Sequence, residues 1–463
     1  MTTISVTNPF DGSHITDIPK QSDADVEKAL DNGHRLFNDR DSWLPAYERI
    51  AILEKVVEIM SSQVDELTTL AAREGGKPYV DSKVEVLRAI QGVKLAIEHV
   101  AHIKGEEIPM GMTESSAQRL AFTRREPIGL VTSISAFNHP LNLIVHQTIP
   151  AIAVGCPVII RPSHSTPLSC LRFVEILHEA GLPPHWCQAL VCDRSGAEKL
   201  VTDSRVNFFS FIGSARVGWM LRSKLSPGTR CALEHGGVAP VIVDESADLS
   251  IAIDSMLKGG FYHAGQVCVS VQRVFAHENI CDIIANELAA KASKLVVGDQ
   301  LNPETEVGPL INPQEVERVA EWVKEAVDKG GKLLTGGKAI SDTCYEPTVI
   351  LNPPEDCQLS QNEVFGPVVC IYTNKDKDDA IVRANSLPVA FQAAIYTEKL
   401  NEALDFSTRL NATAVMVNDH TAFRVDWMPF GGRDVSGIGM GGIQYSMHEM
   451  TREKMMVIKS AVL

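Results

Sequence analysis

Cys268 stands in the run Gly265-Gln266-Val267-Cys268, behind the small-residue turn His263-Ala264-Gly265 and ahead of a β-branched stretch. A thiol held at a turn faces a cleft while the scaffold fixes its aim, and its thiolate adds to electrophilic carbon. One cysteine among ten reads as packing unless other groups join it. Glu234 is the first such group. It precedes His235-Gly236-Gly237, where one unit ends and another begins, and a carboxylate there can serve as general base for a thiol or a water. Asn138, in Phe137-Asn138-His139-Pro140-Leu141, follows an apolar strand, and a side-chain amide at a strand end can donate to a developing oxyanion. In Phe211-Ile212-Gly213-Ser214-Ala215-Arg216-Val217-Gly218 a strand enters a glycine turn and a helix starts. Backbone N–H groups there suit a phosphate, although the spacing is not GxGxxG. Glu363-Val364-Phe365-Gly366-Pro367 puts an acid and an aromatic on a tight loop, a pair that can hold a ribose and a flat ring.

The elements that must position these groups follow from periodicity. Asp23 to Leu36, Ala46 to Met60, Val64 to Glu74 and Val80 to His102 carry apolar residues at helical spacing. Asp23 reads as an N-cap and Gly75-Gly76 as a stop. Strands are expected at Leu120 to Arg125, Gly129 to Ile134, Pro157 to Arg161, Ala189 to Cys192 and Val206 to Phe211. Helices are expected after Pro140 and over Leu168 to Ala180, Gly196 to Val201 and Ala215 to Leu225. That alternation is the pattern of a parallel sheet covered by helices. A second alternating run follows Gly236-Gly237, with strands at Pro240 to Val243, Val271 to Ala276, Val368 to Tyr372, Ala393 to Tyr396 and Ala414 to Val417. Lys454 to Val462 reads as a strand leaving the domain, able to form an arm with residues near 106 to 126 and to pair with a neighbouring chain.

The chain has 463 residues, 43 Lys plus Arg against 58 Asp plus Glu, and a net charge of −15. That surface repels nucleic acid and anionic lipid as a whole, so neither is expected as a partner. No basic-then-apolar leader opens the sequence, and the longest apolar stretch, Leu143 to Ile160, is broken by His146, Gln147, Pro150 and Pro157, so no membrane span is expected. Ten cysteines without a CxxC pair argue against a metal site or disulfide framework and for a reducing, cytoplasmic setting.

Seven segments lie in one order: Phe137-Asn138-His139-Pro140, Arg161-Pro162-Ser163, Phe211-Ile212-Gly213-Ser214, Glu234-His235-Gly236-Gly237, Gly265-Gln266-Val267-Cys268, Glu363 to Pro367, and Pro429-Phe430-Gly431-Gly432 with Ser436-Gly437. Together they resemble the aldehyde dehydrogenase superfamily over nearly the whole chain. The resemblance implies an α/β fold of two Rossmann-like parallel domains plus a β oligomerisation arm. Residues 1–105 and 127–235 would bind NAD(P), 236–443 would carry the nucleophile, and 106–126 with 444–463 would form the arm of a homodimer or homotetramer. It also implies roles. Cys268 would be the nucleophile, Glu234 the base for the deacylating water, and Asn138 with the Cys268 N–H the oxyanion hole. Ser214 would meet the pyrophosphate, Arg161 the adenine ribose, Glu363 the nicotinamide ribose and Phe365 the nicotinamide, with Ile134, Phe137, Pro162, Ser163, His164, Gly213 and Val217 around the cofactor.

Three positions depart from that pattern. Arg161 replaces a common Lys; His164 replaces a carboxylate that would accept from the ribose and repel a 2′-phosphate, which leaves NADP open beside NAD; His235 replaces a common Leu. Arg88, His139 and Arg424 are expected to converge near Cys268 as an anion site, the competing reading being ion pairs with Glu85, Glu98 or Asp426. The closing segment is similar to the branch that oxidises sulfoacetaldehyde, phosphonoacetaldehyde and lactaldehyde. Val267 stands where phosphonate-oxidising relatives often carry Arg, which points to sulfoacetaldehyde. Glu234 argues against a coenzyme A-acylating relative, and the intact Cys268, Glu234 and Asn138 argue against a non-catalytic one.

Overall fold

The computed structural model describes residues 2–463. Two parallel sheets organise it. The first has six strands in the order Gly437–Ile438, Arg230–Glu234, Val206–Ile212, Leu130–Ile134, Val158–Arg161, Cys187–Ala189. All neighbours run parallel except the short Gly437–Ile438, which returns antiparallel and pairs Gly437 with Glu234. The second has seven, ordered Lys332–Thr335, Thr348–Leu351, Val368–Asn374, Arg273–His277, Pro240–Val243, Gln392–Tyr396, Ala414–Val417, parallel but for the first pair. Their inner strands are runs of Val, Ile, Phe and Ala buried on both faces, as a helix-covered parallel sheet requires. A third sheet of Thr451–Lys459, Arg119–Pro127 and Glu107–Ile108 stands apart.

In the first sheet the strands Leu130–Ile134, Val158–Arg161, Val206–Ile212 and Arg230–Glu234 stop side by side, Ile134 opposite both Arg161 and Phe211, and Ile212 opposite Glu234. Asn138, Ser163, Ser214 and Glu234 therefore gather at one sheet edge, the carboxyl end where open α/β sheets bind ligands. Every residue of the helix Asn142–Val154 is buried, so it serves as a spine beneath that edge. Buried Glu85 accepts from the N–H groups of Leu141 (2.9 Å) and Asn142 (3.0 Å) at the start of this spine and pairs with buried Lys77. Glu74 likewise accepts from Leu168 (2.7 Å) and Ser169 (2.8 Å) at the start of the helix Leu168–Glu179. Carboxylates at helix starts satisfy orphan N–H donors.

Several sequence expectations shift. Ser22, not Asp23, caps the first helix, its hydroxyl accepting from the Asp25 N–H while the Asp25 carboxylate accepts from the Ser22 N–H. Gly76 ends the helix Val64–Gly75 in the left-handed region at φ 74°. The strand expected at Ala189 to Cys192 lies at Cys187–Ala189. Strands Thr3–Thr7, His14–Pro19, Arg230–Glu234, Lys332–Thr335 and Thr348–Leu351 add to those foreseen. The terminal strand expected at Lys454 to Val462 lies at Thr451–Lys459; the residues before it form the helix Ile443–Glu449, whose Ile443 and Met447 are buried in the core of the first sheet.

Candidate active site

Of the ten cysteines eight are buried, and of the other two, Cys231 and Cys268, only Cys268 faces the large cleft between the two sheets. The turn ahead of it is strained. His263 and Ala264 sit at φ 50° and 53°, and Gly265 follows at φ 70°. Left-handed backbone costs a non-glycine residue roughly 1–2 kcal/mol, and such strain collects at functional sites. Gly265 also packs against another loop. A Cβ there would lie 2.1 Å from the Gly366 carbonyl oxygen. The Cys268 turn and the Glu363–Pro367 loop thus meet backbone to backbone.

The cleft holds about 550 Å³. It is lined by all three expected catalytic groups, Cys268, Glu234 and Asn138, and by Ile134, Phe137, Arg161, Ser163, Gly213, Ser214, Val217, Glu363 and Phe365. Pro162 and His164 do not line it. Asn138 Nδ2 donates to the Gln266 carbonyl at 2.9 Å, tying the amide to the cysteine turn. An amide nitrogen carries two hydrogens, so one remains to donate elsewhere.

Electrostatics set the resting proton positions. Burial pushes the Cys268 thiol up to about 12, the Glu363 carboxylate adding to the push and Arg424 opposing it. Cys268 therefore rests as a neutral thiol. Burial raises Glu234, with Arg424 pulling the other way, so this carboxyl is tuned toward accepting a proton. Burial lifts Glu363 to about 8, while Arg318 and the Gly237 N–H favour its ionised form. A proton on Glu363 removes its share of the push on Cys268.

The cavity fits a dinucleotide on its own chemistry. Glu363 Oε1 is buried without a partner, and a Cβ on Gly236 would fall 1.8 Å from it, so only a glycine leaves that oxygen its place. An orphaned carboxylate oxygen suits a ribose hydroxyl. Ser214 begins the helix Ala215–Arg222 with no side-chain cap, leaving its first N–H groups to an incoming phosphate. Phe137 and Phe365 meet edge to face, centroids 5.8 Å apart. Arg161 donates Nε to the Cys192 carbonyl at 3.1 Å, and its Nη2 lies 2.8 Å from His164 Nε2. Burial and the Arg161 charge lower His164, and its Nε2 also lies 2.8 Å from the Cys192 carbonyl, which pulls the other way. His235 is buried against Phe211 and Trp219, its Nδ1 2.8 Å from the Gly213 carbonyl and its Nε2 unpartnered. It props the glycine turn.

The three basic residues expected as an anion site do line the cleft, but two of them are not free cations. Arg88 donates Nε and Nη2 to Asp426 at 3.0 and 2.8 Å. This corrects the expectation of a free cation, because a bidentate carboxylate matches the guanidinium charge. Burial, with Lys77, His263, Arg88 and Arg424 nearby, holds His139 well below its usual range. It is a neutral ring, its Nε2 3.3 Å from the Tyr262 hydroxyl. Arg424 differs. No carboxylate among the described residues lies within ion-pair distance of it, its Nε is buried without a partner, and its guanidinium sits 3.5 Å above the Phe430 ring. Tyr262, Trp322 and Phe430 also line the cleft; Phe430 belongs to the Pro429–Gly432 run, whereas no spacing in the sequence marks Tyr262 or Trp322.

Comparison with known proteins agrees with this geometry. The aldehyde dehydrogenase family matches residues 1–456. A 3-sulfolactaldehyde dehydrogenase of Priestia megaterium is 37% identical over 98% of this chain and 94% of its own length. A lactaldehyde dehydrogenase of Methanocaldococcus jannaschii is 37% identical over 98% and 97%. Among solved structures, aldehyde dehydrogenase 21 of Physcomitrella patens, in complex with the reaction product succinate, superposes with a TM-score of 0.96 at 35% identity, covering 99% of this chain and 95% of that one. A thiol, a carboxyl and an amide converging in one cleft, on a chain that matches from end to end, make this protein a member of the aldehyde dehydrogenase family.

Proposed function

We propose that the protein oxidises a small anionic aldehyde to its carboxylic acid with NAD or NADP, through a thioester on Cys268, and that sulfoacetaldehyde, giving sulfoacetate, is the best candidate substrate. The observation that carries the reading is Cys268 facing one cleft with Asn138, Glu234 and the unpaired Arg424. The first sheet and its helices would hold the dinucleotide, which when bound accepts a hydride. Ser214 and its helix start would take the pyrophosphate, and Glu363 a ribose.

Glu234 removes the Cys268 proton, and the thiolate adds to the aldehyde carbon. The resulting oxyanion receives the free Asn138 hydrogen and the Cys268 N–H; one such donor is worth about 2.7–4 kcal/mol. Loss of hydride leaves a thioester. Glu234 first releases the thiol proton to solvent, then takes a proton from water as its oxygen attacks the acyl carbon; the C–S bond breaks, the departing thiolate receives that proton, and the acid and the thiol are freed. Arg424 holds the anionic end of the substrate, and the Phe430 face fixes its direction.

A sulfonate reading draws support from the relative named for sulfolactaldehyde; the lactaldehyde relative keeps that uncharged substrate in view. The separate three-stranded sheet leaves Met455, Met456, Val457 and Ile458 at 42–57% exposure on one strand, and we assign it to contact between copies in a dimer or tetramer. No helix among the described residues is long and apolar enough to cross a membrane. Ten free thiols favour a reducing, cytoplasmic compartment.

The test is the initial rate of reduced cofactor formation with sulfoacetaldehyde, phosphonoacetaldehyde, lactaldehyde and propanal, each with NAD and NADP, on wild type and Arg424→Ala. An anionic aldehyde should give the highest kcat/KM, and its advantage over propanal should shrink in the variant. Equal ratios in both proteins would show that Arg424 does not read the substrate.

A further inference from the structure

Asp426 is almost fully buried and lies on the same loop as Arg424, two residues on. Besides the two bonds from Arg88, its Oδ1 lies 2.7 Å from His146 Nε2 and accepts a longer 3.4 Å bond from Asn142 Nδ2. One carboxylate thus gathers the helix Tyr79–Val100, through Arg88, and the spine helix Asn142–Val154, through His146 and Asn142. Arg88 contributes to the cleft wall, yet its charge is matched before any substrate arrives.

The charged and titratable groups around Arg424 are Arg88, Asp426, Glu234 and Cys268, with His139 and His146 beyond them. Arg88 and Asp426 cancel, Cys268 rests as a thiol, and His139 is a neutral ring. Among these described groups Arg424 alone is left as an uncompensated cation, beside a carboxyl, Glu234, that must itself ionise during turnover.

We propose that Asp426 determines the charge of the aldehyde this site accepts: by occupying Arg88 it leaves a single free cation at the nucleophile, so the site selects a monoanion, sulfonate or carboxylate, over a dianion such as a phosphonate. The inference rests on the anionic-substrate reading above and sharpens it. A second negative charge on the substrate would meet no second cation and would face Glu234. A sulfonate oxygen set and one guanidinium match in charge and in planar donor geometry.

Two measurements test this. In wild type, kcat/KM is followed for phosphonoacetaldehyde, sulfoacetaldehyde and propanal from about pH 5.5 to about pH 8.5, the range in which a phosphoryl group passes from one charge to two. Division by propanal removes the enzyme's own pH response. The phosphonate ratio should fall about tenfold as the second charge appears, and the sulfonate ratio should stay level. Parallel behaviour of the two anions overturns the proposal. In Asp426→Asn, which keeps the shape and frees the Arg88 charge, the phosphonate-to-sulfonate ratio at about pH 8.5 should rise about tenfold. An unchanged ratio in a variant with native circular dichroism also overturns it. Should that variant not fold, the wild-type profile still decides. If propanal matches both anions in wild type at every pH, the anionic reading itself has failed, an outcome distinct from parallel profiles of two preferred anions.

Discussion

Gly265→Ala isolates what the strained turn does for catalysis. The substitution acts twice. At φ 70° an added Cβ costs roughly 1–2 kcal/mol in backbone energy. The same Cβ falls 2.1 Å from the Gly366 carbonyl oxygen and 3.3 Å from that of Gly260. Both neighbours are backbone, so no side chain can swing aside, and relief needs the two loops to separate by about 1 Å. Overpacking of this kind costs about 1–3 kcal/mol, for a total of about 2–5 kcal/mol. The motion moves Cys268 on one loop away from Glu363 and Phe365 on the other, and a shift of about 1 Å at a reacting centre costs about 10²-fold in rate. Gly330→Ala serves as control: it carries φ 108° with nothing within 4 Å of the added atom, so it pays the backbone term alone. The assay pairs thermal melting with initial rates at saturating cofactor. Gly265→Ala should melt below Gly330→Ala and lose between ten- and a hundredfold in kcat, roughly. If it keeps wild-type kcat, the contact between the loops does not aim the nucleophile and the reasoning fails.

Cys268→Ala should abolish oxidation while leaving circular dichroism unchanged; residual turnover at the wild-type rate would remove the thioester route. Glu234→Gln should let a covalent acyl adduct accumulate, visible as added mass on the intact protein, and its absence would move the deacylating base elsewhere. Asn138→Ala should lower kcat by about 10²–10³-fold with a smaller change in KM; a variant within threefold, roughly, would exclude the amide from the oxyanion hole. For Glu363, burial holds the proton on below about pH 8, and the ionised form accepts from ribose hydroxyls. Cofactor affinity, read by calorimetry, should therefore rise with pH by up to about tenfold per unit and level off near 8, and Glu363→Gln should flatten that rise.

The strand ends that carry the candidate groups were legible in the sequence, where the β-branched run before Asn138 and the phenylalanine-rich run before Ser214 show the chain leaving a buried sheet. Glu234 was readable from the Gly236-Gly237 break, although its own strand, Arg230–Glu234, was not: Arg-Cys-Ala-Leu-Glu has little β-branched character and owes its strand form to neighbours on both sides. The fate of the basic residues was hidden for a different reason. Arg88 and Asp426 lie 338 residues apart, and no local pattern says which of several carboxylates the folded chain will bring to an arginine. His139 could not be read as neutral from its type, since burial and surrounding cations decide it. Ser22 displaced Asp23 as cap because the reciprocal bonds with Asp25 fit one register only.

The antiparallel return of Gly437–Ile438 beside Arg230–Glu234 has a consequence for synthesis. Until that return forms, the strand bearing Glu234 is the bare edge of the first sheet, and its partner lies some two hundred residues further along the chain. At about 5–20 residues per second a ribosome leaves this edge open for tens of seconds, long enough for an unpaired strand to meet another nascent chain. The helix Ile443–Glu449 and the final strand follow at once. The Glu234 strand is therefore covered on both sides only after every strand of the second sheet has been made, so the first sheet closes later than the one that follows it in the chain.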